Sequence, residues 1–216
     1  MNRMQKINLI NGDCRHEMAV MKDNSFDVTF TSPPYNRRRN DKYLDYNDRV
    51  CNYGEWLGGI IDNMLRVTER HVIVNIQKNY YNKADVFSLI GKYSDKLQEV
   101  IIWEKTNPMP ASGKSITNSW EFFLVMGDEA LKSNTTYTKN ILSTSVNGSM
   151  PKHHKAVMKQ EVSDWFIEKF TKEGDHVLDP FMGLGTTGKS CVKFERTFTG
   201  IEKSLMYFSD ARKVLT

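Results

Sequence analysis

The stretch "HVLDPFMGLGTTGKSCVKFERTFTGIE", residues 176–202, decides the fold. A strand-sized apolar run, His176 to Asp179, stops at Pro180-Phe181 and turns through Gly183, Gly185 and Gly188. A helix is expected next, and a second strand closes at Glu202. Glycines let a backbone approach a ligand closely, a helix start offers free amides, and a carboxylate at a neighbouring strand end can bind ribose hydroxyls. Three ligands fit. Gly183-x-Gly185-x-x-Gly188 with Glu202 matches the dinucleotide fingerprint, whereas "GLGTTGKS" satisfies the phosphate-loop pattern, with Lys189 on phosphates and Ser190 on magnesium. The third is S-adenosylmethionine, and a tight turn with no ligand is the bland alternative.

Position in the chain bears on the choice. Dinucleotide and phosphate-loop folds place such a loop after their first strand and build the sheet from residues later in the chain. Here one strand and one helix remain, so the sheet has to come from earlier residues. Strand-sized runs do recur upstream: "INLI" (7–10), "FDVTFT" (26–31), "HVIVNI" (71–76), "EVIIW" (99–103) and "WEFFLVM" (120–126), with a weak one at "TYTKNIL" (136–142). Helical periodicity separates several of them, with Trp56, Ile60, Met64 and Val67 on one face and Val162, Trp165, Phe166 and Phe170 on another. Strands alternating with helices predict an α/β, three-layer, doubly wound and mostly parallel sheet. The cofactor half comes last, so the motif order is circularly permuted. With no repeat and no clear linker, residues 1–216 read as a single domain.

A second segment belongs at the same sheet edge. "TSPPY", residues 31–35, ends the strand at 26–31. Pro33 and Pro34 fix φ and donate no amide hydrogen, so they hold a rigid turn whose carbonyls are expected to stay free as acceptors. Tyr35 offers a flat face for a ring. Together these make a cradle for an exocyclic amine, although a proline-ended strand with a packed tyrosine accounts for the same residues. Directly behind come Arg37, Arg38 and Arg39 with Tyr43, Tyr46 and Tyr53, so loop 36–54 interleaves cations with aromatics as a nucleic-acid-binding segment does. A second polar loop, 127–151, is the other candidate for contact with DNA.

Composition excludes more than it selects. A 39% hydrophobic chain with net charge +4 is globular and permits a polyanionic partner without requiring one. The cysteines Cys14, Cys51 and Cys191 form no C-x-x-C, which argues against a disulfide framework or a zinc ribbon, and no metal ligand set is read. None follows a proline, where the cytosine C5 methyltransferase family carries its cysteine nucleophile, and neither H-x-E nor P-C-x-x-C of the zinc deaminases occurs. With no signal-like or membrane-length apolar run, a cytoplasmic location is expected.

TSPPY, DPFMGLGTT (179–187) and GIE (200–202) resemble the DNA amino-methyltransferases, which move a methyl group from S-adenosylmethionine to cytosine N4 or adenine N6. The order, S-P-P-Y early and D-P-F-x-G-x-G late, is similar to the family's β group. "NGD" (11–13), "WEKTNP" (103–108), "WEFFLVM" and "HHKAVMKQEV" (153–162) extend the likeness over nearly the whole chain. The resemblance implies a Rossmann-like methyltransferase fold, base flipping and DNA as partner. It implies Ser32, Pro33, Pro34 and Tyr35 at the target amine, and cofactor contacts from Asp13, Ser32, His154, Asp179, Pro180, Phe181, Gly183, Gly185, Thr186, Thr187 and Glu202. Arg37, Arg38 and Arg39 would meet DNA. His154 sits in an H-x-A-x-F-like stretch that departs from the family, with Lys155 and Lys159 at common proline positions and Met158 replacing the aromatic. Relatives acting on adenine usually carry Asp where Ser32 stands, so the expectation leans to cytosine N4, with adenine N6 as the alternative. A phosphate-loop ATPase and a catalytically silent DNA-binding relative stay open as rivals. A homodimer and a cognate restriction nuclease stay open as partners.

Overall fold

The computed structural model describes residues 6–37, 48–108, 116–128, 131, 138–145 and 157–216. His154, Arg38 and Arg39 lie outside the described residues, as do 38–47 of the first polar loop and much of the second. The elements run β1 (Ile7–Asn11), α1 (Cys14–Ala19), β2 (Phe26–Thr31), α2 (Tyr53–Val67), β3 (Thr68–Ile76), α3 (Lys83–Lys92), β4 (Leu97–Lys105), β5 (Trp120–Met126), β6 (Ile141–Thr144), α4 (Gln160–Phe170), β7 (His176–Asp179), α5 (Thr186–Lys193), β8 (Thr197–Glu202) and α6 (Leu205–Leu215).

The strands form one sheet in the order β1-β8-β7-β2-β3-β5-β4-β6, parallel except at β5, which is antiparallel to both of its neighbours. Alternation divides each central strand between two cores, as the two-residue period requires. Val72, Val74, Ile76, Phe122 and Leu124 pack under α1, α2 and α3, whereas Phe30, Ile73, Phe123, Val125 and Val177 pack against α4, α5 and α6. The expected three-layer architecture arises from this division. On the second face Phe166 is the hub, with ring centroids 4.1 Å from Phe123 and 5.0 Å from Phe30.

Helix α2 forms because Tyr53, Leu57, Ile60, Ile61, Met64 and Val67 make one buried stripe. Trp56, expected on that stripe, is only half buried and turns toward the sheet edge. Three helices escape the sequence reading, among them α6, since one helix was expected after the glycine bend and two are found, α5 and α6. α1 buries only Cys14 and Met18, and α3 only Val86 and Leu89, too few apolar positions to signal a helix. α1 owes its start to Asp13, whose side chain accepts from Arg15 N as an N-cap.

Registry sets the functional edge. Asn11 pairs with Glu202, Asp179 with Gly200, and Leu178 with Thr29, so β1, β8, β7 and β2 end nearly level. From the β7/β2 boundary the chain leaves in opposite directions, through α5 on one face and α2 on the other. This is a topological switch point, where open α/β sheets bind ligands. β1, the first strand, adds beside β8, near the end of the chain, and so completes the last half, as the permuted order requires. Among the described residues no helix is long and apolar enough to cross a membrane.

Candidate active site

At the switch point lies a hollow of about 270 Å³. The first polypeptide half lines it with Gly12, Asp13, Cys14, Arg15, Ser32, Pro33, Pro34, Tyr35, Val50 and Trp56, and the last half with Pro180, Phe181, Gly183, Glu202, Lys203 and Tyr207. The proline turn and the glycine bend thus share one space. They are stitched together by Asp179. One of its oxygens accepts from Thr31 Oγ1 at 2.6 Å and Phe181 N at 3.1 Å, and the other from Thr187 Oγ1 at 2.6 Å. Burial pushes the Asp179 carboxyl pKa up, against the pull of the two threonine hydroxyls and the Phe181 amide.

The acidic groups that face the hollow are oriented by their neighbours. Glu202 accepts from Gly183 N at 2.9 Å and Ser204 N at 2.7 Å, which joins β8 to the glycine bend. Asp13 takes Arg15 Nε at 3.0 Å and Nη2 at 2.8 Å, and Lys203 Nζ at 3.2 Å. The Arg15 side chain holds the Asp13 carboxyl well below the usual carboxylate range, although burial works against it. Trp56 and Phe181 meet at 5.8 Å between centroids and give the hollow an aromatic wall. Burial pushes the Cys14 thiol up to about 12, so a cysteine is present in the hollow but no thiolate nucleophile.

The proline turn is braced from behind. Tyr53 Oη donates to Pro34 O at 2.8 Å, so one proline carbonyl is already engaged, contrary to expectation. Asn79 and Asn82 donate to Tyr35 O at 2.7 and 2.9 Å. Tyr35 Oη lies 2.9 Å from Ser32 Oγ and 3.0 Å from Glu121 Oε2, and it also contacts Asn75 Oδ1. Ser32 Oγ donates to Asn75 Oδ1 at 3.2 Å. Glu121 in turn is paired with Lys105, both largely buried. Burial and the Glu121 charge push the Tyr35 phenol pKa well up, so the hydroxyl stays protonated as a donor and fixes the ring. Arg37, the described member of the arginine run, bends back onto Gln77 Oε1 and sits 5.3 Å above the Tyr35 ring.

Gly185, Thr186, Thr187 and the Asp179 carboxylate, all expected at the cofactor, do not line the hollow. Gly185 has φ of +80, and a Cβ on Gly188 would meet Leu215 at 2.7 Å and Phe198 at 2.9 Å, so the third glycine permits close helix packing. The phosphate-loop reading fails at Ser190. Its hydroxyl is buried against α4, 2.8 Å from Ser163 Oγ and 2.7 Å from Asp164 Oδ1, away from the hollow, and Lys189 is exposed outside it. Sequence reasoning missed Asn75, Glu121, Lys105, Asn79 and Asn82, and it read Tyr53 as an aromatic of the nucleic-acid-binding loop, whereas Tyr53 is buried at the start of α2 against Pro34 O. A signal did exist for two of them: Asn75 and Glu121 are polar residues inside runs that otherwise read as buried strand.

The family model of N6/N4 DNA methylases matches residues 26–213. The chain belongs to this family. Among curated DNA methylases it is 30% identical to the type II methyltransferase M.MwoI of Methanothermobacter wolfeii over 98% of its own length, but it spans only 34% of that protein. It is 26% identical to the type II methyltransferase M2.DpnII of Streptococcus pneumoniae, covering 97% of this chain and 90% of that one. The structure of the PvuII DNA methyltransferase (cytosine-N4-specific) superposes with a TM-score of 0.79 at 17% identity, over 96% of this chain and 86% of that one, which shows the fold. S-adenosylmethionine is bound in the structure of the M1.HpyAVI complex, which superposes with a TM-score of 0.68 at 24% identity, over 97% of this chain and 100% of that one. The hollow suits it: a carboxylate at the end of β8, a glycine bend at the end of β7, and aromatic walls at Trp56 and Phe181.

Proposed function

We propose that this chain methylates the exocyclic N4 of cytosine in DNA. The single observation that carries the reading is the convergence of Ser32 to Tyr35 with Phe181, Gly183 and Glu202 on one hollow. S-adenosylmethionine supplies an electrophilic methyl group on a sulfonium. Glu202 would hold its ribose, Asp13 the rim at its adenine end, and Phe181 with Gly183 the remainder.

The protein has the other tasks. A base inside a duplex has to be flipped out at a cost of a few kcal/mol, and stacking on an aromatic ring returns about 1–3 kcal/mol per base. Tyr35, immobilised through its hydroxyl, is the ring that would do so. With Pro34 O held by Tyr53 and Tyr35 O by Asn79 and Asn82, the acceptors proposed for the amine hydrogens are Ser32 Oγ and the Pro33 carbonyl, which aim the nitrogen, so catalysis comes largely from alignment. Ser32 supports the choice of cytosine, because a neutral hydroxyl stands where adenine enzymes usually carry a carboxylate.

Residues 1–216 are proposed as one catalytic domain, with loops 36–54 and 127–151 meeting DNA. The type II names of the relatives support a paired restriction nuclease, to be sought by co-purification, and light scattering reads whether a homodimer forms. Transfer of tritiated methyl to DNA tests the activity. The wild type is expected to label DNA, and Tyr35→Ala to lose most of that labelling while still binding S-adenosylmethionine. ATP hydrolysis without labelling would overturn the proposal.

A further inference from the structure

Beside the proline turn, the segment after β3 carries two tyrosines turned into solvent. Tyr80 is 74% exposed and Tyr81 48%. Their rings meet edge to face, with centroids 5.4 Å apart at 88°, so they form one shaped aromatic corner. Cations flank it. Lys83 Nζ lies 5.2 Å from the Tyr80 centroid, and Lys78 precedes the pair by two residues. Among the described residues neither lysine has a carboxylate within ion-pair distance.

This corner is fixed to the catalytic turn. Asn79 and Asn82 both donate to Tyr35 O, and Asn82 also donates to Gln77 O at 3.1 Å. Asn79 Oδ1 accepts from Tyr81 N at 2.8 Å, and Asn118 Nδ2 donates to Lys78 O at 3.3 Å. The backbone is held from inside, and the large side chains face outward. Neither ring belongs to the two core clusters, and rings interleaved with ammonium groups suit bases interleaved with phosphates.

We propose that Tyr80 and Tyr81, with Lys78 and Lys83, form a DNA contact at the rim of the hollow, the rings stacking on a base next to the extruded nucleotide and the lysines meeting its flanking phosphates. The proposal rests on the methyltransferase reading of the hollow and adds a surface outside loops 36–54 and 127–151. Because the corner is tied to Tyr35 O, docking of the strand would also set the target base against Tyr35.

The test uses the full chain, a fluorescein-labelled unmethylated duplex of mixed sequence, and fluorescence anisotropy across a salt series. Tyr80→Ala/Tyr81→Ala is expected to weaken binding at least about fivefold, from the stacking of one base. Lys78→Ala/Lys83→Ala is expected to flatten the dependence of log affinity on log salt by about 1.8, near 0.9 for each phosphate released. In both variants S-adenosylmethionine affinity, read by calorimetry, should match the wild type. Duplex affinity and salt slope unchanged in both variants, with wild-type DNA labelling intact, would overturn the rim contact alone. A wild type that neither binds nor labels DNA would overturn the parent reading and this one with it.

Discussion

Replacing Asp179 by Ala should separate the two halves of the hollow. The substitution deprives two buried hydroxyls, Thr31 Oγ1 and Thr187 Oγ1, and the Phe181 amide of their shared acceptor. Each buried donor left unpaired costs about 1–3 kcal/mol. Two of the three are rotors that can seek other partners, and removing the carboxylate recovers the desolvation cost that raises its pKa. The expected loss is therefore about 3 kcal/mol rather than the full sum. Asp179→Asn keeps an acceptor for Thr31 and Phe181 N and offers an amide hydrogen to Thr187, so it should cost about 1 kcal/mol or less. Urea unfolding at neutral pH, followed by far-UV circular dichroism, reads both values, and calorimetry reads S-adenosylmethionine affinity, which should fall more in Ala than in Asn. A loss below about 0.5 kcal/mol for Asp179→Ala, within the range of a neutral surface change, would refute the clamp.

Tyr53→Phe removes one oxygen and with it the brace on Pro34 O; it should cost about 1 kcal/mol of stability and lower kcat for DNA more than it raises KM for S-adenosylmethionine, as steady-state kinetics would read. Lys105→Met leaves Glu121 buried without its cation and should cost about 2–3 kcal/mol in urea unfolding, short of a fully buried pair because Lys105 keeps 14% of its side-chain surface exposed. Adding Glu121→Gln to it should restore most of that loss, and additive losses would show that the two side chains do not interact. His176 is half-buried beside Phe26, and the partial desolvation depresses its pKa, so the unfolded chain takes up the proton first. Its stabilising contribution is complete above about pH 6.5 and fades as pH falls below it. A urea midpoint series from about pH 7.5 to 5 should therefore slope less in His176→Gln than in the wild type, and equal slopes would contradict the assignment.

The sequence made the edges of the sheet legible where strands end in punctuation. Asp179-Pro180 and Ser32-Pro33 mark the ends of β7 and β2 because proline stops a strand, and glycines mark the bend because they adopt without steric cost the φ of +54 and +80 found at Gly183 and Gly185. The antiparallel β5 was not legible, since a buried strand has the same run of apolar residues in either direction. Nor was the division of labour among the glycines. Gly188 fits a phosphate-loop pattern, but its space is taken by Leu215, from a helix whose packing no local pattern records. Glu121 and Lys105 stand sixteen residues apart on strands that only the sheet order brings side by side. Arg37 was expected to point toward DNA on charge alone, yet Tyr35 and Gln77 offer a nearer partner.

The most direct measurement is the identity of the product nucleoside. DNA incubated with the protein and S-adenosylmethionine, digested and resolved by mass spectrometry, is expected to contain N4-methylcytosine, and the yield should collapse in Tyr35→Ala. Methylation found only as N6-methyladenine would reverse the assignment of the base, and no methylated nucleoside at all would contradict the hollow as a site of amine methylation.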